Sequence, residues 1–399
     1  MNAGKAVMPY RKERALEDAA FRHGFTPVRL FSLLLPVWQV DVRATTVEGK
    51  PYELIDRYLE RGLAECGLNT VAELAAFFSL DEVLVDRAIR FLAGIGHLTG
   101  TPDGGLTLTD LGRNSHRDQV CYVVERQDRR RLYFDGYTSL PLTRRHYDAG
   151  VVTFLTLAQA GAMHGRDQDF RLLATTKGFR RETLAELARY RDRERYNLPH
   201  RLDRPESLGE ECVFLPVHVI RAVQPGGKIR FLAYGQAADT ADPELSELCE
   251  QAPEIQGALA NEDTTEEEQR TRITSWLLRK GLSGYRPVRF PHGGWQVELP
   301  RSAFEPSGPI PCASLGSFAA LSTTVVRIWC ADKELREQGF LDRVESFARA
   351  RQRKAGEVTA LATKAGRQLG FESTDLSALR AMAAAAGRDA LVLLLDSLN

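Results

Sequence analysis

The chain has 399 residues, more than one ordinary hydrophobic core takes up, so two or three domains are expected. Its 53 Lys and Arg balance 53 Asp and Glu, and this zero net charge excludes a polycation that coats nucleic acid along its length. A hydrophobic content of 43% with 27% charged residues is that of a soluble globular protein and excludes a disordered one.

Residues 1–50 read as an N-terminal helix and strand. The apolar run Leu30 to Val42 is interrupted by Pro36 and falls short of the roughly 20 residues that span a bilayer. It follows a charged start, so it does not read as a cleaved signal, and a strand over Leu33–Val42 is expected. Within WQVDVRATTVEGK, residues Asp41, Glu48 and Lys50 resemble the metal-binding "D…E-x-K" of restriction-type nucleases, in which carboxylates hold Mg²⁺ and the lysine steadies a water. Glu-Gly-Lys-Pro reads as a turn entering a helix, not as the central strand that this chemistry uses.

Residues 51–117 carry the most specific pattern. Val71, Leu74, Ala75 and Phe78 recur at helical spacing, with Thr70 and Glu73 placed for a capping box. Asp81 is placed to cap a further helix with Val85, Ile89 and Leu92 on its apolar face, and Gly94 and Gly96 can end it. His97–Thr99, Pro102-Asp103-Gly104-Gly105 and Leu106–Leu108 read as strand, turn, strand.

Thr70 to Leu80 matches a "T-x-x-E-L-A" opening helix, Gly96-His97-Leu98 a "G-x-L" exit and Leu108 to Arg113 an "L-T-x-x-G-R" ending. On these motifs the stretch resembles the winged helix-turn-helix family, with Pro51 to Cys66 as the preceding helix. The resemblance covers about a sixth of the chain. It implies that the helix from Asp81 enters a major groove and that the wing touches phosphate. The cations it places there are Arg87, Arg90, Arg113, His116 and Arg117, beside the acids Asp81, Glu82, Asp86 and Asp103.

Residues 118–204 read as a β-hairpin and helical connector. Gln119–Val124 and Arg131–Phe134 flank a basic tip, so Arg129, Arg130 and Arg131 could extend the basic patch beside the wing. Residues 151–200 are expected to be largely helical, with Arg189 to Tyr196 as an exposed, salt-bridged helix. A mixed α+β domain over 205–332 follows. Its hairpins are Val213–Val223 with Lys228–Tyr234 and Pro287–Phe290 with Trp295–Leu299, and Val325–Cys330 is a further strand. Acidic helices fill 243–280. Residues 205–270 hold fourteen acids against Arg221, Lys228, Arg230 and Arg270, which suggests a protein partner there. Residues 333–399 read as helices.

The fold class expected is therefore α+β: a winged helix-turn-helix region, a mixed α/β-hairpin domain and a C-terminal helical part. The six cysteines, Cys66, Cys121, Cys212, Cys249, Cys312 and Cys330, show no C-x-x-C spacing and read as reduced thiols of a cytoplasmic protein. The chain contains no G-x-x-x-x-G-K-[ST] phosphate loop, H-E-x-x-H zinc motif, G-x-S-x-G elbow or H-x-K. No histidine has a carboxylate at a suggestive spacing, so each is expected to be structural. No catalytic residue, metal or cofactor is expected.

The leading expectation is a non-catalytic nucleic-acid-binding protein, with DNA as partner, acting as a regulator or as the DNA-engaging subunit of a larger complex. A protein partner at the acidic region and a homo-oligomer are compatible with this, and a membrane is not. The alternative is a scaffold or adaptor subunit, for example of a defence or genome-maintenance assembly, whose winged helix docks protein. A metal-dependent nuclease is the minor alternative. A ligand-sensing repressor would need a sensor fold, and the W-Y-L pattern that follows some bacterial winged helices is absent.

Overall fold

The computed structural model describes residues 7–164, 170–175, 177–262, 264–349, 353–371 and 375–398. The protein is mixed α+β. Its chain divides into two units, each assembled from separated stretches. Met1–Leu35, Val151–Ala174 and Phe214–Asn399 make the first, and Pro36–Gly150 with Thr175–Val213 make the second. Among the described residues no helix is long and apolar enough to cross a membrane.

In the first unit, the strand Thr324–Trp329 pairs antiparallel with Phe318–Leu321 and parallel with Trp295–Glu298, which in turn pairs antiparallel with Pro287–Arg289. Ser32 to Leu34 pair in parallel with Phe170–Leu172. His218 to Val223 pair with Ile229–Tyr234, and Gly226 and Gly227 take the positive φ that the intervening turn requires. The core joins Trp295, Val297, Val326 and Ile328 to Ile273 and Leu277 and to the C-terminal helices through Phe340, Val344, Val358 and Leu379. Part of the acidic stretch of this unit is paired internally. Asp239 pairs with Arg14, Glu250 with Arg230, Glu262 with Arg171, and Glu266 with both Arg270 and Arg289. Glu247, Glu267 and Glu268 of the same stretch are exposed.

The second unit is organised by one antiparallel ladder, from Val37↔Asp135 to Lys50↔Cys121. Side chains alternate across it: Val40, Val42, Ala44, Leu132 and Phe134 are buried against Leu184, Leu187, Leu198 and Leu202, while Asp41 and Arg131 lie on the opposite, exposed face. The residues joining the two strands form helices Leu54–Glu65, Val71–Phe78 and Glu82–Gly94, the paired strands Leu98–Gly100 and Leu106–Leu108, and helix Asp110–Asp118. Thr70 and Glu73 close the capping box, and Asp81 caps the next helix through the Val83 amide. Leu59, Leu74, Val85, Ile89, Leu92, Leu98 and Leu108 form the core of this insertion.

Four expectations are corrected here. The basic tip over Arg126–Arg130 is not a hairpin: Cys121–Asp135 is one strand, bulged where Gln127 takes φ +60°, and its partner is the distant strand Thr26–Lys50. An alternating pattern marks a strand but does not name its partner. Glu-Gly-Lys is not a turn either, because the first strand runs from Thr26 to Lys50, well beyond Leu33–Val42, and the helix begins only at Leu54. The described part of 151–200 holds only the helices Leu157–His164 and Glu182–Leu187, with short turns and a strand. Arg189 to Tyr196 is no α-helix. Tyr190 and Tyr196 pack edge to face at 5.1 Å against one core, whereas six residues along a helix would point them about 120° apart.

Candidate nucleic-acid interface

The cations singled out from sequence are dispersed. Arg87 and Arg90 stand on the outer side of the Glu82–Gly94 helix, where Arg90 pairs with Asp86 at 2.7 Å and Arg87 has no acidic partner among the described residues. That side also exposes Val83, Leu84 and Phe91. Arg113 donates to the Leu108 carbonyl at 2.6 Å and to Asp110 at 2.7 Å, Arg117 pairs with Asp118, and His116 meets Glu65 at 3.2 Å. Arg129 and Arg131 share the exposed face of the ladder, and Arg131 is tied to Asp41 at 3.0 Å. Arg130 points to the other face, clamped between Glu48 and Asp128. The three consecutive arginines thus form no single patch, since strand side chains alternate.

The same alternation separates the carboxylates of the nuclease-like constellation. Asp41 and Glu48 lie seven residues apart on one strand, about 23 Å, and on opposite faces. Each accepts from an arginine, and they share no coordination point.

Sequence reasoning missed a groove of about 1190 Å³ in the second unit. It is bordered by the strand end at Glu48–Lys50, by Tyr122 and Arg130 of the partner strand, by Arg144, and by the turn 191–200. Six lysines and arginines line it (Lys50, Arg130, Arg144, Arg191, Arg193 and Arg195) against Glu48, Asp192 and Glu194. Their roles differ. Arg130 is consumed by its two carboxylates, and Arg193 closes the turn by donating to the Ala188 and Pro199 carbonyls, burial pulling its pKa down. Lys50, Arg144 and Arg191 are exposed and meet no acid within ion-pair distance among the described residues.

The groove also holds an aromatic platform. His200 lies on Tyr122 with ring centroids 4.4 Å apart and planes 27° from parallel. Tyr122 is buried, donates its hydroxyl to Asp118 at 3.2 Å, and has its pKa pushed up by burial first and by Asp118 second, so the phenol is neutral. His200 is exposed and lines the groove. Gly49 sits opposite Tyr122 in the ladder, where a Cβ would come within 2.6 Å of Val120 Cγ1.

Beneath the platform lies a buried polar cluster that no sequence spacing announced. His97 donates from Nδ1 to Glu60 and from Nε2 to the Tyr122 carbonyl, while Tyr52 donates to the second Glu60 oxygen. Ser115 Oγ accepts the Tyr122 amide at 3.0 Å. Glu60 and the Tyr122 carbonyl can only accept, and Ser115 Oγ lies 3.3 Å from Nε2, so the two shorter bonds together favour the imidazolium. Burial alone would lower its pKa, but the Glu60 and Tyr122 hydrogen bonds and the Glu60 and Asp56 charges outweigh it and hold the value above the ordinary histidine range. The cluster fixes the backbone of Tyr122, and through it the ring on which His200 rests. The signal was absent because Glu60 and His97 are 37 residues apart. Among the described residues no group of three or more His, Cys, Asp or Glu is placed to hold a metal ion.

No protein-family model, no characterised protein and no solved structure matches the chain.

Proposed function

We propose that the protein is a non-catalytic nucleic-acid-binding protein, a regulator or the nucleic-acid-engaging subunit of a larger complex, and that it holds phosphates in the arginine-lined groove of its second unit. The observation that carries this is the set of three exposed cations, Lys50, Arg144 and Arg191, brought from three separate segments to one groove without acidic partners. Charges left unpaired around a concavity are those available to replace the counterions of a phosphate backbone. The order of elements over 51–117, with the motifs quoted above, supports a winged helix-turn-helix here. Its outer helix is a poor phosphate surface, since Arg90 is held by Asp86 and only Arg87 is unpaired.

The test is a salt series with full-length protein. Replacing Lys50, Arg144 and Arg191 by alanine removes three phosphate contacts and lowers the slope of log affinity against log salt by about two to three units. A triple variant with the wild-type slope refutes the placement, and absence of any binding at about 50 mM salt refutes nucleic-acid binding itself.

A second reading, an adaptor whose winged helix docks protein, is favoured by a different observation: Val83 is 76% exposed, and Leu84 and Phe91 share its helix surface with 41% and 49% exposure. Large apolar side chains clustered on one helix suit a protein partner better than a phosphate backbone. The two readings concern different surfaces.

A further inference from the structure

We infer that the groove takes a single-stranded nucleic acid, with its phosphates on Lys50, Arg144 and Arg191 and an unpaired base stacked on the ring of His200, an inference that rests on the nucleic-acid reading above. Three features of the site select this ligand. Its volume of about 1190 Å³ exceeds the roughly 300–1,000 Å³ of pockets that enclose small molecules. Its lining is charged, where small-molecule pockets are mostly apolar. A flat ring stands among the cations, and a ring face is useful only to a base whose own face is free. In a duplex the base faces are covered by their stacked neighbours, whereas each unpaired base can offer one.

The ring is built to be held still. His200 rests on Tyr122, Tyr122 is tied through its hydroxyl to Asp118 and through its amide and carbonyl to Ser115 and His97, and His97 is anchored on Glu60. A stacking residue on so fixed a support loses little freedom when a base arrives. The platform contacts a ring face, which every base has, so the stacking itself is tolerant of sequence. Ribose and deoxyribose strands share the phosphate and base chemistry and are distinguished by experiment.

The test uses full-length protein, labelled oligothymidine and oligouridine strands of about 15 nucleotides, and a duplex of the same length. Anisotropy at about 50 mM salt should show the single strands bound more tightly than the duplex. His200→Ala should weaken single-strand binding roughly 5- to 150-fold, the range for losing one stacked base, and leave duplex binding unchanged. His200→Phe, which keeps a ring without the imidazole nitrogens, should restore most of the loss. Circular dichroism of both variants checks that the fold is retained. A duplex bound as tightly as the single strands, or His200→Ala binding like wild type, overturns the single-strand assignment while nucleic-acid binding stands. If no probe binds, both fall.

Discussion

The imidazolium of His97 and the carboxylate of Glu60 form an ion pair with no solvent exposure on either side chain. Removing one member of such a pair strands the other charge in a low dielectric, at a cost of about 3–5 kcal/mol. The pH dependence follows in sign. His97 has a raised pKa when folded, so its contribution is complete below the unfolded histidine value of about 6.5 and is lost as pH rises through the higher folded value. Wild type should therefore lose stability in urea between about pH 6.5 and the alkaline side of that value. Glu60→Gln, which keeps the shape and removes the charge, should be less stable at every pH and show a flatter profile. Parallel profiles for the two proteins would refute the pairing.

Gly112 explains physically why the "L-T-x-x-G-R" ending carries a glycine. A Cβ there would stand 2.4 Å from the backbone carbonyl oxygen of His97, which cannot swing aside as a side chain can. Gly112→Ala should force helix Asp110–Asp118 off the sheet segment and cost about 1–3 kcal/mol. Gly94, in open space at the end of its helix, is the control, and alanine there should be neutral or stabilising by up to about 1 kcal/mol. Urea midpoints for the two variants give the comparison, and equal midpoints would refute the packing argument.

What could be read from sequence is what is local. Thr70 with Glu73, Asp81, and the turn glycines Gly226 and Gly227 each act within a few residues, and each sits where its chemistry indicated. The partner of Cys121–Asp135 was not legible, because the strand it pairs with lies some seventy residues upstream, across a folded insertion. The charges misled for a related reason. Arg129, Arg130 and Arg131 are adjacent in sequence but alternate in the ladder, and two acids of 205–270, Asp239 and Glu262, meet Arg14 and Arg171 from elsewhere in the chain. The groove was hidden because its cations, Lys50, Arg144 and Arg191, come from segments whose neighbourhood is set only by the fold.

Asp192 and Glu194 line the groove and oppose the charge it offers to phosphate. Neither is tied to an arginine within ion-pair distance among the described residues, and the turn uses their backbone carbonyls, which accept from the Arg195 and Asn197 amides. Asp192→Asn with Glu194→Gln should therefore tighten nucleic-acid binding and raise the association rate, most at low salt where screening is weak. A gain of several-fold at about 50 mM salt that shrinks towards 200 mM is expected. An unchanged or weaker affinity would mean that the strand does not pass these side chains.

The outer surface of helix Glu82–Gly94 separates the two functional readings. Leu84 and Phe91 are seven residues apart, two helical turns, so they present one apolar strip, and Val83 flanks it. None of the three is part of the buried core of the insertion, so Leu84→Asp with Phe91→Asp should leave the urea midpoint within about 0.5 kcal/mol of wild type. The strip is also absent from the groove lining, so anisotropy with single strands should be unchanged. If this helix docks a protein, the variant should lose the partner that co-purifies with wild type, because a carboxylate buried without a counter-charge costs several kcal/mol. If the helix instead enters a nucleic acid, the two new acids should repel phosphate and weaken binding to duplex. Loss of duplex affinity with partner binding intact would transfer the nucleic-acid contact to this helix and remove the docking role.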